Sequence, residues 1–184
     1  MGFPVVMKIV SEQILHKSDA GGVIVGLATA AEAKQAFDTI VTRARGYKPE
    51  AQIEGVLVQK MAAAGTEVIM GLNRYPIFGP LLMFGSGGIF VEVFQDVTFR
   101  LAPIGRNEAR RMVREIKGYK LLQGFRGKPK GDIESIEKCL VSLSNMAINH
   151  PEIVELDINP LLVHAEGQAA TAAELLGVKP KKSE

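Results

Sequence analysis

Residues 53–100 constrain the fold of this 184-residue chain more than any other stretch. There the sequence breaks into short runs rich in β-branched and aromatic residues, each cut off by glycine or proline. The spacing predicts strands over 56–61, 67–72, 81–84, 90–94 and 98–101. Upstream, Val5–Val10 and Val23–Leu27 read as strands flanking a long loop whose Asp19-Ala20-Gly21-Gly22 supplies turn chemistry. Thr29-Ala30-Ala31-Glu32 is a capping-box pattern, in which hydroxyl and carboxylate satisfy orphan N–H groups. With Ala33, Ala36, Phe37, Ile40 and Val41 it predicts a helix of about fourteen residues.

Downstream, two helices are expected. One runs over 106–117 with Ala109, Met112, Val113 and Ile116 on one face. The other is capped by Asp132 and carries Ile133, Ile136, Leu140, Leu143 and Ala147. The glycine-rich, basic stretch 118–131 reads as an active loop or a solvated connection. Arg106, Arg110, Arg114 and Lys117 line one helical face, a pattern expected of a solvated surface. Strands at 153–158 and 161–164, separated by Pro160, complete the pattern, and the polar, basic tail 176–184 is expected to be disordered.

Lys plus Arg exceed Asp plus Glu by only two, and aromatics are not interleaved with basic residues, which gives little reason to expect a nucleic-acid partner. Cys139 is the only cysteine, so an intrachain disulfide is excluded and a structural zinc site is not expected; this fits a reducing, cytoplasmic setting. No run approaches the ~18 apolar residues that span a bilayer, and MGFPVVMKIV lacks signal-peptide character. Because the chain runs almost directly into a strand at Val5, it is expected to be a fragment, or one subunit of something larger.

Three places carry candidate chemistry, each open to two readings. Gly85-Ser86-Gly87-Gly88 is either a tight turn between strands or a phosphate cradle; it is neither a P-loop nor a dinucleotide fingerprint. In Glu155-Leu156-Asp157-Ile158-Asn159-Pro160, strand alternation puts Glu155, Asp157 and Asn159 on one face. That face suits Mg²⁺, a hard cation that takes oxygen ligands, or is simply exposed. His16, beside Lys17 and Asp19, is either a nucleophile for phosphorus, since an imidazole is largely neutral at neutral pH, or a solvated bystander.

Together the segments VVMKIVSEQILHKSDAGGVIVGL, GVLVQKM, GTEVIMGLNRYPIFGPLLMFGSGGIFVEVFQDVTFRLAPI, REIKGYKLLQGFRGKP and PEIVELDINPLLV resemble the ATP-grasp domain of the NDP-forming acyl-CoA synthetases, in particular the β subunit of the ADP-forming acetyl-CoA synthetase type. The resemblance implies an α+β ATP-grasp fold whose two lobes grip ATP between antiparallel sheets, here lacking the N-terminal part of the nucleotide lobe. Residues 1–55 would form the partial nucleotide lobe with the histidine loop, 56–175 the second lobe, and 176–184 the tail. It implies the reaction acyl-CoA + ADP + phosphate ⇌ acid + CoA + ATP, with Mg²⁺ and ATP/ADP, in the cytoplasm and in an oligomer with a CoA-binding ligase subunit or domains.

By the same resemblance His16 is the phosphate-carrying histidine and Lys8 contacts nucleotide phosphate. Gln59, Lys60 and Met61 form a hinge that reads the adenine, and Glu67 follows at the family's glutamate. Gly85, Ser86, Gly87 and Gly88 flank the transferring phosphoryl group, Glu92 and Arg100 line that site, and Asn159 with Asp157 holds Mg²⁺. One departure matters: where the family has an Asp-Ala-Arg or Asp-Ala-Lys triplet with the other metal ligand, this chain has Ala172. A unit-charge pair at 4 Å is worth ~4 kcal/mol at an effective dielectric of 20, so that loss weakens metal binding unless Asp157 or Glu155 compensates. The chain is thus expected to derive from an acid–thiol ligase and to be inactive without the missing segment and partner. The alternative is a non-catalytic assembly or nucleotide-sensing domain.

Overall fold

The computed structural model describes residues 1–14 and 17–180, leaving aside the side chains of residues 89, 90, 92 and 176–180. His16 therefore lies outside the described residues. The chain divides into two compact units, Met1–Met61 and Ala62–Glu184.

In the first unit β1 (Val5–Val10), β2 (Val23–Leu27) and β3 (Gly55–Lys60) form an antiparallel sheet in the order β2-β1-β3, with α1 (Ala30–Tyr47) packed on one face. Alternation along β1 buries Val5, Met7 and Ile9 against Ala36, Ile40 and Ala44 of α1. The capping box is formed as expected: Glu32 N–H donates to Thr29 Oγ1 (3.2 Å) and Ala28 N–H to Glu32 Oε2 (2.8 Å). The helix runs longer than expected, 18 residues, because its apolar stripe continues to Ala44. The unit ends after Met61 rather than at residue 55, because β3 pairs along the whole of β1, from Val5↔Lys60 to Val10↔Gly55. Gly22 must be glycine, since a Cβ there would stand 2.5 Å from Ile9 Cγ2 and 3.0 Å from the Lys17 carbonyl.

The second unit contains β4 (Thr66–Tyr75), β5 (Gly79–Ser86), α2 (Ile89–Phe94), β6 (Val97–Leu101), α3 (Arg106–Glu115), α4 (Tyr119–Leu122), α5 (Ile133–Asn149), β7 (Ile153–Val163), β8 (Ala170–Ala172) and β9 (Leu175–Pro180). Its antiparallel sheet has the order β6-β5-β4-β7-β8, with β9 also pairing β7. Val68, Met70, Leu72, Leu82 and Phe84 bury one face against Met112 and Val113 of α3 and Ile136 and Leu140 of α5.

The structure corrects four expectations. Residues 90–94 alternate like a strand but form α2: Gly88 turns the chain at φ +60°, Gln95 closes the helix in the left-handed region, and the place beside β5 is taken by β6. Pro160 does not divide two strands; β7 runs through it where the ladder shifts register, and the Pro160 carbonyl still accepts from Ala173 N–H (3.0 Å). The tail is ordered as far as Pro180, because β7 offers a second edge to β9 (Asp157↔Leu176, Ile158↔Leu175); residues 181–184 lie outside the described ones. Finally, the arginine stripe is not simply solvated. Arg106 and Arg110 reach Glu137 on α5, a carboxylate only 5% exposed, at 3.7 and 3.2 Å, so the pairs tie α3 to α5.

Leu140 is fully buried between α5 and the sheet. Leu140→Ala is expected to lower the free energy of unfolding by ~2–5 kcal/mol in urea titrations; a loss below ~1 kcal/mol would mean the helix layer is not packed on the sheet as described.

Candidate functional site

The helices of the second unit cover one face of its sheet, so strand alternation sends the other side chains away from them. Leu82, Phe84 and Leu156 point to the core, whereas Met83, Gly85, Phe99, Glu155 and Asp157 belong to the opposite face. A cavity of about 280 Å³ on that face is lined by Gly71, Asn73, Tyr75, Met83, Phe99 and Asp157. Gly71 lets the strands approach beside the carboxylate, since a Cβ there would press on the Leu156 carbonyl at 3.1 Å and touch Asp157 Oδ1 at 3.5 Å. Burial, and then the charge of Glu155, push the Asp157 carboxyl above the usual aspartate range. A carboxylate whose negative charge the fold opposes is suited to a cation. Among the described residues no group of three or more His, Cys, Asp or Glu is placed to hold a metal. The donor set therefore fits Mg²⁺, which uses one or two carboxylates together with water and substrate phosphates, better than it fits a closed protein cage.

At the end of β5 the glycine turn is forced by close approach. A Cβ at Gly85 would meet Val97 Cγ1 at 2.6 Å and the Asp96 carbonyl at 2.7 Å, and one at Gly87 would meet Glu67 Cβ at 2.7 Å. Gly87 N–H donates to the Glu67 carbonyl (2.9 Å), so the turn is pinned to the start of β4. Ser86 is buried, and its hydroxyl donates to Asp96 Oδ2 (2.6 Å). Asp96 also accepts from Lys117 N–H (2.6 Å) and Gly118 N–H (2.8 Å). Burial alone would raise its pKa, but the hydrogen bonds from Ser86, Gly118 and Lys117 outweigh it and hold the carboxyl below the ordinary value. Sequence reasoning passed over Asp96. The one local signal was a carboxylate flanked by apolar runs in VFQDVTF.

The remaining expected residues are divided. Arg100 lies on the helix side of the sheet, where it pairs with Glu108 (2.5 Å) and Glu115 (2.6 Å); the fold does not bring it to the face carrying Asp157. Asn159 N–H donates to the Glu174 carbonyl (3.1 Å), and Ala172 sits opposite Leu161 on β8. Glu92 lies on α2, directly after the turn. In the first unit Lys8 and Gln59 share the sheet face away from α1, paired with Leu57 and Val6 respectively. Lys60, opposite Val5, belongs to the α1 side, and Met61 N–H donates to the Pro4 carbonyl (3.1 Å).

Residues 1–176 match the family model of the ATP-grasp domain. The β subunit of ADP-forming acetate–CoA ligase I from Pyrococcus furiosus is 48% identical over 176 residues, which are 96% of this chain and 76% of that one. The ADP-forming acetate–CoA ligase I of Archaeoglobus fulgidus is also 48% identical, over 92% of this chain but 24% of its own length. The chain thus spans about three quarters of the separate subunit and about a quarter of the single-chain relative. Among solved structures, acetyl-coenzyme A synthetase 1 of Ca. Korarchaeum cryptofilum in complex with coenzyme A and Ca-AMPCP superposes with a TM-score of 0.88 at 45% identity, covering 95% of this chain and 75% of that one. The same enzyme with coenzyme A and Mg-AMPPCP, its phosphohistidine segment pointing towards the nucleotide binding site, gives a TM-score of 0.78 at 42% identity, with the same coverage. No helix among the described residues is long and apolar enough to cross a membrane.

A pH dependence follows from Asp157. Because its folded-state pKa is raised, whatever stability the group contributes is present below the unfolded pKa and lost as pH rises through the folded one. Asp157→Asn is therefore expected to unfold at a higher urea concentration than the wild type at pH 7. The difference should vanish as the pH falls to the ordinary aspartate value of about 4. An identical midpoint at both pH values would contradict the assignment.

Proposed function

This chain belongs to the ATP-grasp family, and we propose that it is the nucleotide-binding part of an ADP-forming acyl-CoA synthetase, moving phosphoryl between His16 and ADP. The balanced overall reaction is acyl-CoA + ADP + phosphate ⇌ acid + CoA + ATP. In the ATP-forming direction an oxygen of the ADP β-phosphate attacks the phosphorus carried by His16; the P–N bond breaks, a P–O bond forms, and the ring, protonated on its other nitrogen, takes the P–N electron pair and leaves as neutral imidazole. Lys8 meets nucleotide phosphate, and Gln59, Lys60 and Met61 read the base. Glu67, the turn Gly85–Gly88 and Glu92 surround the transferring group, and Asp157 with Asn159 would hold Mg²⁺. When bound, the cation supplies neutralisation of phosphate charge. The residues of the chain contribute position and fixed dipoles, which carry most of the catalysis in phosphoryl transfer. Arg100 is engaged by Glu108 and Glu115 on the helix side, so its part in this reading is to hold β6 on α3.

The observation that best supports the reading is a backbone-pinned glycine turn on the same sheet as a half-buried carboxylate facing away from the helices, in a chain 48% identical to a β subunit. The acid and CoA would be bound by a CoA-binding ligase subunit assembled with this chain in the cytoplasm. A second reading, a non-catalytic nucleotide-sensing or assembly domain, is favoured by Ala172, which by the resemblance stands where the family carries a metal-binding aspartate.

Incubation with γ-labelled ATP and Mg²⁺ is expected to label His16 in an acid-labile, base-stable form. His16→Ala should abolish the label while changing ADP affinity by less than about threefold. Calorimetry separates the readings. Magnesium-dependent ADP binding supports the first, whereas ADP binding that ignores magnesium, without labelling, supports the second.

A further inference from the structure

We infer that Asp96 is a positioning residue for phosphoryl transfer, setting the place of the glycine turn through Ser86; this rests on the function proposed above. Asp96 grips Ser86 twice. Its carbonyl accepts Ser86 N–H (3.0 Å) and its carboxylate accepts the Ser86 hydroxyl (2.6 Å). Everything between them, Gly87, Gly88 and α2 with Glu92, is a loop whose two ends are tied together by the carbonyl and carboxylate of one aspartate. The other carboxylate oxygen accepts Lys117 N–H, while Gly118 N–H shares the oxygen that takes the hydroxyl. The link from α3 to α4 is thereby drawn against the turn so closely that a Cβ at Gly118 would fall 2.0 Å from Ser86 Oγ.

All three groups that face the carboxylate are donors, so an amide in its place would turn an NH₂ group onto one of them. Asp96 and Ser86 are 5% and 4% exposed. A buried ion held by donors is a poor source of stability but a good source of fixed geometry. The turn consequently has two anchors, the Glu67 carbonyl on β4 and Asp96. Phosphoryl transfer needs both, because a displacement near 1 Å costs on the order of a hundredfold in rate.

The test uses the full chain, with three readouts: the rate of His16 labelling at saturating ATP and Mg²⁺, ADP affinity by calorimetry, and thermal midpoint. Asp96→Asn is expected to slow labelling about a hundredfold while ADP affinity changes less than about threefold. Ser86→Ala should slow it about tenfold. Gly118→Ala should be worse than Ser86→Ala alone, and combining it with Ser86→Ala should give a partial rescue, because removing Oγ takes away the 2.0 Å contact and leaves only Ser86 Cβ and Asp96 Oδ2, each at 3.2 Å. Labelling of Asp96→Asn within about threefold of wild type overturns the inference. So does labelling that falls only in proportion to the folded fraction, as a merely structural role requires. If Asp96→Asn does not fold, the Ser86 and Gly118 variants decide, and absence of the rescue refutes the inference. A wild type that neither binds Mg-ADP nor takes label refutes the proposed function and this inference with it; a wild type that labels alongside unaffected variants refutes this inference alone.

Discussion

Burial of one face of the six-stranded sheet against α3 and α5 is the constraint from which the rest of the second unit follows. Phe84, Met70, Leu82, Met112, Ile136 and Leu140 are all essentially inaccessible to water, and each such side chain contributes ~1.5–3 kcal/mol relative to exposure. Once these positions are committed to the helices, period-two alternation leaves the other face to Glu155, Asp157, Met83 and the glycines. The uncovered face is therefore as strongly specified as the core, since a one-residue slip would exchange the two sets.

Two aspartates show how the same side chain is given opposite tasks by its surroundings. Asp96 is buried among one hydroxyl and two N–H donors and is held ionised. Asp157 is half-buried with Glu155 nearby on the same strand, and its ionisation is opposed. Asp96 is internally satisfied and fixes the glycine turn. Asp157 faces away from the helices, and a positive charge brought to it would favour its anionic form. A site built for a phosphorylated nucleotide and a hard cation needs both kinds.

Much of this was legible in the sequence, for local reasons. β-branched alternation marked β1, β2 and most of β4 to β7, and Thr29 and Asp132 announced their helices through side chains that accept N–H groups within the first turn. Legibility failed where tertiary context decides. Ile89–Phe94 carries strand-like residues but is bent into a helix by the left-handed conformations at Gly88 and Gln95. Arg100 could be placed on a strand, but which face it takes depends on Glu108 and Glu115. Asp96 was missed because its partners, Ser86, Lys117 and Gly118, lie 10 to 22 residues away in sequence, and nothing local distinguishes it from a surface carboxylate. Resemblance to a family named the glycine turn and Asp157 as candidates, but not Asp96, which is hydrogen-bonded to the turn.

The central claim is that the uncovered sheet face, with Asp157 as its metal-seeking carboxylate, receives the nucleotide. The most direct measurement is a crystal structure grown with ADP and Mn²⁺ in place of Mg²⁺, in which anomalous scattering locates the cation. The account predicts one strong anomalous peak within coordination distance of Asp157, shared with the ADP phosphates, on the face opposite α3 and α5. A peak on the helix side, or ADP bound with no cation near Asp157, would contradict it.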